Sequence, residues 1–259
     1  MVRNRLGVVL TAALGLGFVA APAAVAEDTP VTVRVISQGA KFIGSSMGGV
    51  HVRLYDADSG ALLAQGKTEG GTGDTGRIMK TAQPRGAVLS TPGAAKFAAI
   101  LDLDAPTRIK AVAQGPAAQP QAENTVSATQ WVLPGKGVHA GDGWLLTMPG
   151  FMVDVQMPGA GGDAGAAPAT VPVTANVRMM CGCPITPGGL WDADAYDVAA
   201  IIYKDGEKLR EVPLSYAGSP SQFAADLKLD AAGGYEVAVY AHNPESGNTG
   251  LDKTTFSVE

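Results

Sequence analysis

The only two cysteines of the chain lie two residues apart, in Met179-Met180-Cys181-Gly182-Cys183-Pro184. In an extended segment Met179, Cys181 and Cys183 project from one face, which gathers three soft sulfur groups. Thiolates and thioethers favour Cu(I) and similar soft ions, and the same thiols can instead close into a disulfide. Closing so small a ring removes little chain entropy, so its stabilising value is slight. A single CxC lacks the second pair that marks a zinc ribbon, and no thioredoxin-like βαβ pattern surrounds it, which makes a thiol-disulfide catalyst the weakest reading.

Further methionines extend the set. Met148 and Met152 share a face of the run Thr147 to Pro158, and Met157 stands beside a glycine-rich stretch. If the two halves fold together, Met148 and Met152 join Met179, Cys181 and Cys183 as candidate ligands of a d10 cation. Methionine also fills irregular core gaps, and that is the plainer reading of Met148 and Met152. His51, His139 and His242 have no second histidine at metal-ligand spacing, although His139 is close in sequence to the Met148 strand. Asp192 and Asp194 have the i, i+2 spacing of calcium loops with Asp197 nearby, but lack the glycine and distal glutamate of an EF-hand. They read as a solvated turn. Asp56 and Asp58 before Ser59-Gly60 read as hairpin residues.

Enzyme motifs are missing. There is no GxSxG, no HExxH and no dinucleotide fingerprint, and the Gly70 to Gly76 run has no following Lys-Ser/Thr to make it a phosphate loop. The chain reads as a non-enzyme.

These residues must be positioned by short strands. The 259-residue chain has 34 glycines, 17 prolines and few aromatics, a composition that favours sandwiches over helix bundles. Arg3 and Arg5, the apolar run Leu6 to Ala21 and Ala24-Val25-Ala26 form a secretory leader, residues 1–26, too short to span a bilayer. Its removal leaves 17 basic against 24 acidic side chains, a net charge of −7. Such a balance argues against nucleic acid as a partner. The expected product is periplasmic or secreted, with no membrane span. Its expected partner is a metal donor or acceptor protein, or another exported protein.

Gly and Ala dominate Pro158 to Pro168, which reads as a flexible linker. The expected organisation is a first β-sandwich over 27–157, a linker over 158–170 and a second sandwich over 171–259. Val31 to Val35 alternates as a half-buried strand, followed by Gly48 to Asp56, the Asp58-Ser59-Gly60 turn and Leu62 to Gly66. This pattern resembles the carboxypeptidase regulatory-like and transthyretin-like sandwiches, which implies a fold and no activity. Later strands are expected at Phe97 to Leu103, Thr107 to Gln114, Thr125 to Leu133 and Trp144 to Val155, with Gly70 to Pro92 a long functional or mobile excursion.

In the second half Val171 to Met180, Tyr196 to Tyr203, Lys208 to Leu214, Phe223 to Leu229, Glu236 to Ala241 and Thr254 to Val258 read as strands. Tyr235 at the start of the penultimate strand resembles the tyrosine corner of immunoglobulin-like sandwiches. The fold class is therefore all-β, two tandem antiparallel immunoglobulin-like sandwiches. Cys181 and Cys183 are expected in a surface loop at one sandwich end. The leading functional reading is Cu(I) binding or delivery, and the alternative is a structural or interaction module with a local Cys181-Cys183 disulfide.

Overall fold

A computed structural model describes residues 25–259, which form sixteen strands in four sheets. All but the last two residues of the expected leader fall outside the described residues. The chain is all-β, and the sheets pair into two sandwiches.

The first sandwich uses β1 (Glu27–Ser37), β2 (His51–Asp56), β3 (Leu62–Lys67), β4 (Phe97–Leu103), β5 (Thr107–Gly115), β6 (Asn124–Val132) and β7 (Trp144–Met148). One sheet has the order β4-β1-β7 and the other β3-β2-β5-β6. The alternation in β1 sends Val31, Val33 and Val35 into the core, where they meet Val52, Leu54, Ile109 and Ala111 of the facing sheet. β7 fills the edge beside β1 and runs parallel to it, with Val33 opposite Trp144 and Ser37 opposite Met148.

The excursion over residues 70–92 is packed down. A single turn at Gly76–Lys80 follows Asp74, and Ile78 and Leu89 pack on a small cluster of Ile36, Phe42, Ala94 and Ala95. Asp142 holds the far side by accepting from the N–H groups of Leu89 and Ser90 at 2.9 and 2.7 Å.

The second sandwich comprises β8 (Phe151–Met157), β9 (Gly162–Asp163), β10 (Ala169–Met179), β11 (Asp197–Lys204), β12 (Glu207–Pro213), β13 (Ser215–Tyr216), β14 (Gln222–Leu229), β15 (Gly233–His242) and β16 (Thr249–Val258). Its sheets run β13-β14-β10-β8 and β12-β11-β15-β16-β9. The leading segment pairs antiparallel with β10 as β8, then crosses to the other sheet and pairs parallel with β16 as β9. This strand order, with an extra strand β12 beside β11, is that of the immunoglobulin-like sandwich. The Tyr235 hydroxyl donates to the Ala231 carbonyl at 2.7 Å, which closes the tyrosine corner.

Two boundaries differ from the sequence expectation. The run Trp144 to Val155 is not one strand but breaks at Pro149-Gly150, where proline lacks an N–H and Gly150 sits at φ +126°. The sandwich boundary therefore falls at Pro149-Gly150 rather than after Met157. The stretch expected as a free linker is a sheet edge. Its backbone is bonded along β16 and the chain end, from Gly161 N–H to Thr255, Ala164 N–H to Ser257 and Ala167 N–H to Glu259 carbonyls. Small residues let this segment lie close against the edge, and Ala164 and Ala167 pack on the second core.

Candidate functional site

Cys181 and Cys183 lie at the junction of the two sandwiches. β10 ends in a tight reversal in which Gly182 N–H donates to the Met179 carbonyl at 2.8 Å and Met179 N–H to the Cys183 carbonyl at 3.2 Å. Gly182 sits at φ +78°, and a Cβ there would come within 2.6 Å of Sδ of Met47, a residue of the first sandwich. Only glycine meets both demands. The two cysteines are joined by a disulfide across this reversal, with their Cα atoms 5.5 Å apart.

The site is not the exposed loop expected. Cys181 is 1% and Cys183 7% exposed, and both belong to the second core with Ile185 and Trp191. The cover comes from the first sandwich, more than a hundred residues away in sequence. Ala40 completes the same core, and the Trp191 indole N–H donates to the Gly39 carbonyl at 3.0 Å.

The five candidate ligands divide between two cores. Met179 opposes Phe151 across the β8/β10 pair, and both point into the second core with the cysteines. Met152 opposes Arg178, on the other face of that sheet, and packs into the first core with Met148. Met148 is fully buried at the end of β7, opposite Ser37 of β1 in the same sheet. Met180 also enters the first core, where a Cβ on Gly150 would meet its Sδ at 3.2 Å. The strand pair β8/β10 thus supplies side chains to both sandwiches at this end, Phe151 and Met179 to one, Met152 and Met180 to the other.

The connecting peptide is held from both sides. Asn248 is buried and makes a two-way bond to Gly150, accepting from its N–H at 2.6 Å and donating to its carbonyl at 3.0 Å. The Asn124 amide donates to the Pro149 carbonyl at 3.1 Å, and Gln121 to that of Val153 at 3.4 Å. A buried backbone group left without a partner costs about 1–3 kcal/mol, so these amides make one geometry of the junction strongly preferred. Asn248 and Met47 were not singled out from sequence, whereas Met179 and Met180, as chain neighbours in an extended run, were expected on opposite faces and are found there. The one available signal was Gly182 itself, a glycine between two cysteines.

Beside the junction runs an open cleft of about 590 Å³, with Asn124, Phe151, Tyr240, His242 and Leu251 among its lining. His242 Nδ1 lies 3.3 Å from an Asp197 carboxylate oxygen. Phe151 meets Tyr196 edge to face at 5.2 Å, and burial, with the Asp192 and Glu245 charges, raises the Tyr196 pKa. Asp192 accepts from the N–H groups of Gly188 and Asp194 and so closes its own turn. His51 and His139 are exposed. Among the described residues no three His, Cys, Asp or Glu side chains are grouped to hold a metal ion.

The strand order and register define the class: tandem β-sandwiches, the second immunoglobulin-like. No protein-family model matches the chain, and no curated protein matches it. Solved structures with general likeness include the fibronectin(III)-like modules of Clostridium thermocellum CbhA, 13% identical over 88% of this chain and 90% of that one, TM-score 0.28. The titin Z1Z2 domains in complex with telethonin are 10% identical over 90% of this chain and 95% of that one, TM-score 0.25. An engineered protein is 17% identical over 49% of this chain, TM-score 0.30, and the matched part spans 24% of its length. Among the described residues no helix is long and apolar enough to cross a membrane.

Proposed function

We propose that the chain is an exported, non-catalytic binding module in which Cys181–Cys183 is a local disulfide that braces the reversal after β10, the surface on which the first sandwich packs, so that two sandwiches present their outer faces as one unit. The observation that carries this reading is the burial of both cysteines in the second core, under a cover supplied by the first sandwich. A brace is useful only if both halves must be held in register. The paired amide bonds at Gly150 and the exchange of methionines between cores serve the same end.

The alternative is a soft-ion role in which Met179, Cys181 and Cys183 hold Cu(I) and exchange it with a donor or acceptor protein. That role requires the thiols reduced and the cover of Gly39 and Ala40 withdrawn. Native mass spectrometry of the protein, isolated from an oxidising compartment with metals left in place, separates the two. A metal-free mass lighter by two hydrogens than the dithiol form supports the brace. A copper-sized adduct that disappears in the Cys181→Ser/Cys183→Ser variant would establish the metal site instead.

A further inference from the structure

The two sandwiches treat surface charge differently. On the outer face of the second one's five-stranded sheet opposite charges are paired: Lys208 with Glu211 and Lys253 with Glu236. The outer face of β3-β2-β5-β6 has no such balance, although at one end of it the Glu123 carboxylate, just before β6, accepts from the Gln114 amide at 2.5 Å. Its four strands contain a single carboxylate, Asp56, which is turned into its own hairpin to accept from the N–H groups of Asp58 and Ser59. Arg53, Lys67, Arg108 and Lys110 all occupy outward register positions. Arg108 pairs with Asp58 of that hairpin, and among the described residues the other three form no ion pair. This cationic face belongs to a chain with 24 acidic and 19 basic side chains.

The face also carries aromatic rings. Trp131 is 62% exposed and stands directly across from Arg108, and Tyr55 stands across from Lys110. Tyr55 and Trp131 are two strands and two residues apart on the registered sheet, about 12 Å at standard strand spacing. Lys110, Arg108 and Thr129 stand between them, and two amides lie further along the strands, beyond Tyr55. Gln114 accepts from Arg53 at 3.1 Å, which places both on the same face, and Gln65 opposes Arg53.

From this juxtaposition we propose that the outer face of β3-β2-β5-β6 binds a linear anionic polysaccharide. Its sugar rings stack on Trp131 and Tyr55, its carboxylate or sulfate groups meet Arg53, Lys67 and Lys110, and its hydroxyls bond Gln65. Guanidinium forks match such oxyanions in paired geometry. The surface between the rings is charged and polar, made by Lys110, Arg108 and Thr129, whereas a stable protein interface is apolar at its centre. The net negative charge of the chain opposes a nucleic acid, whose charge density is far higher. This inference rests on reading the chain as a binding module, but a failed brace at Cys181–Cys183 leaves the β3-β2-β5-β6 face intact, so the two can fail separately.

The test is affinity electrophoresis of the full, unreduced protein in gels containing alginate, dextran sulfate or neutral dextran. Retardation by alginate, by dextran sulfate or by both, without retardation by dextran, is the expected result, and the responding polymer identifies the carboxylate or sulfate source. Arg53→Glu/Lys110→Glu weakens binding by about tenfold or more, and Trp131→Ala by about fivefold while Trp131→Phe retains it. Lys253→Ala, on the charge-paired face, leaves it unchanged. These side chains are at the surface, so melting temperatures stay near the parent value. The proposal is overturned if neither anionic polymer retards the protein, or if Lys253→Ala weakens retardation as much as the double variant. It is also overturned if poly-glutamate binds as tightly as alginate and Trp131→Ala has no effect, which would make the face a dock for acidic protein. Concentration-dependent self-association abolished by Arg53→Glu would make the occupant a second copy and overturn it as well.

Discussion

Met179 and Met180 are chain neighbours that fill different cores, Met179 the second sandwich's and Met180 the first's. Met180 is therefore a part of the first core delivered by the second sandwich. Its truncation to alanine removes a fully buried side chain, at a cost of about 2–4 kcal/mol. The first sandwich is expected to melt earlier in Met180→Ala, and only the second in Met179→Ala. Calorimetry, with tryptophan fluorescence of single-Trp forms retaining Trp144 or Trp191, assigns each transition. Identical transitions in the two variants would show that the cores are not divided in this way.

Gly182 and Met47 bring the two sandwiches together at the disulfide, with no room left for a Cβ between them. Gly182→Ala places a side chain at φ +78° and 2.6 Å from Met47 Sδ, and the combined backbone and packing penalty is about 2–3 kcal/mol. Met47→Ala removes the steric part and leaves the backbone part. A double-mutant cycle by denaturant unfolding should return a coupling of about 1 kcal/mol or more, since the two sites share one contact. Additive effects would mean that the sandwiches do not touch there in solution.

Most strands were visible in the sequence because one face of each is buried and the other is not. β1 and β14 alternate, and β15 combines Val237 and Val239 with the tyrosine of the corner. The boundary at Pro149-Gly150 was hidden because Phe151-Met152-Val153 is apolar at every position. In the fold each face of that segment meets a different core, so the usual polar alternation is absent. β9 was hidden for the opposite reason, because its pairing uses backbone groups alone and leaves no side-chain pattern. The burial of Cys181 and Cys183 depends on Gly39, Ala40 and Met47, which no local reading connects to them. Gly182 and Pro184 are loop formers in isolation, and the long-range cover overrides that preference.

Tyr235 offers a test of the corner separate from the core. Its ring stacks on Phe256 with centroids 5.6 Å apart, while its hydroxyl reaches Ala231. Tyr235→Phe keeps the stack and loses the bond, so the expected cost is about 1 kcal/mol, with an unchanged denaturant slope. Tyr235→Leu also loses the stack and costs more. An unfolding midpoint for Tyr235→Phe equal to that of the parent would show that the corner bond contributes nothing to stability.

Tyr240 carries the clearest pH signature. Its hydroxyl donates to Glu211 at 2.6 Å, and that bond first, then burial and the nearby Glu211 and Asp197 charges, push its pKa up to about 12. The same bond, followed by that from Lys208, holds the Glu211 carboxyl below its usual value. The protonated phenol is thus favoured by the folded state. Its contribution is fully present below the unfolded tyrosine pKa near 10 and is lost as pH rises through about 12. Glu211 works in the opposite direction, its contribution being present above the unfolded carboxylate pKa and lost in acid. The chain has six tyrosines, and burial also raises Tyr196, so the total phenolate absorbance is not selective. The difference between the parent and Tyr240→Phe titrations isolates the residue and should centre near 12. Glu211→Gln keeps an acceptor but removes the charge, and should bring the Tyr240 titration down towards its ordinary range. A parent-minus-Tyr240→Phe difference centred near 10 would mean that the Tyr240–Glu211 bond does not persist in solution.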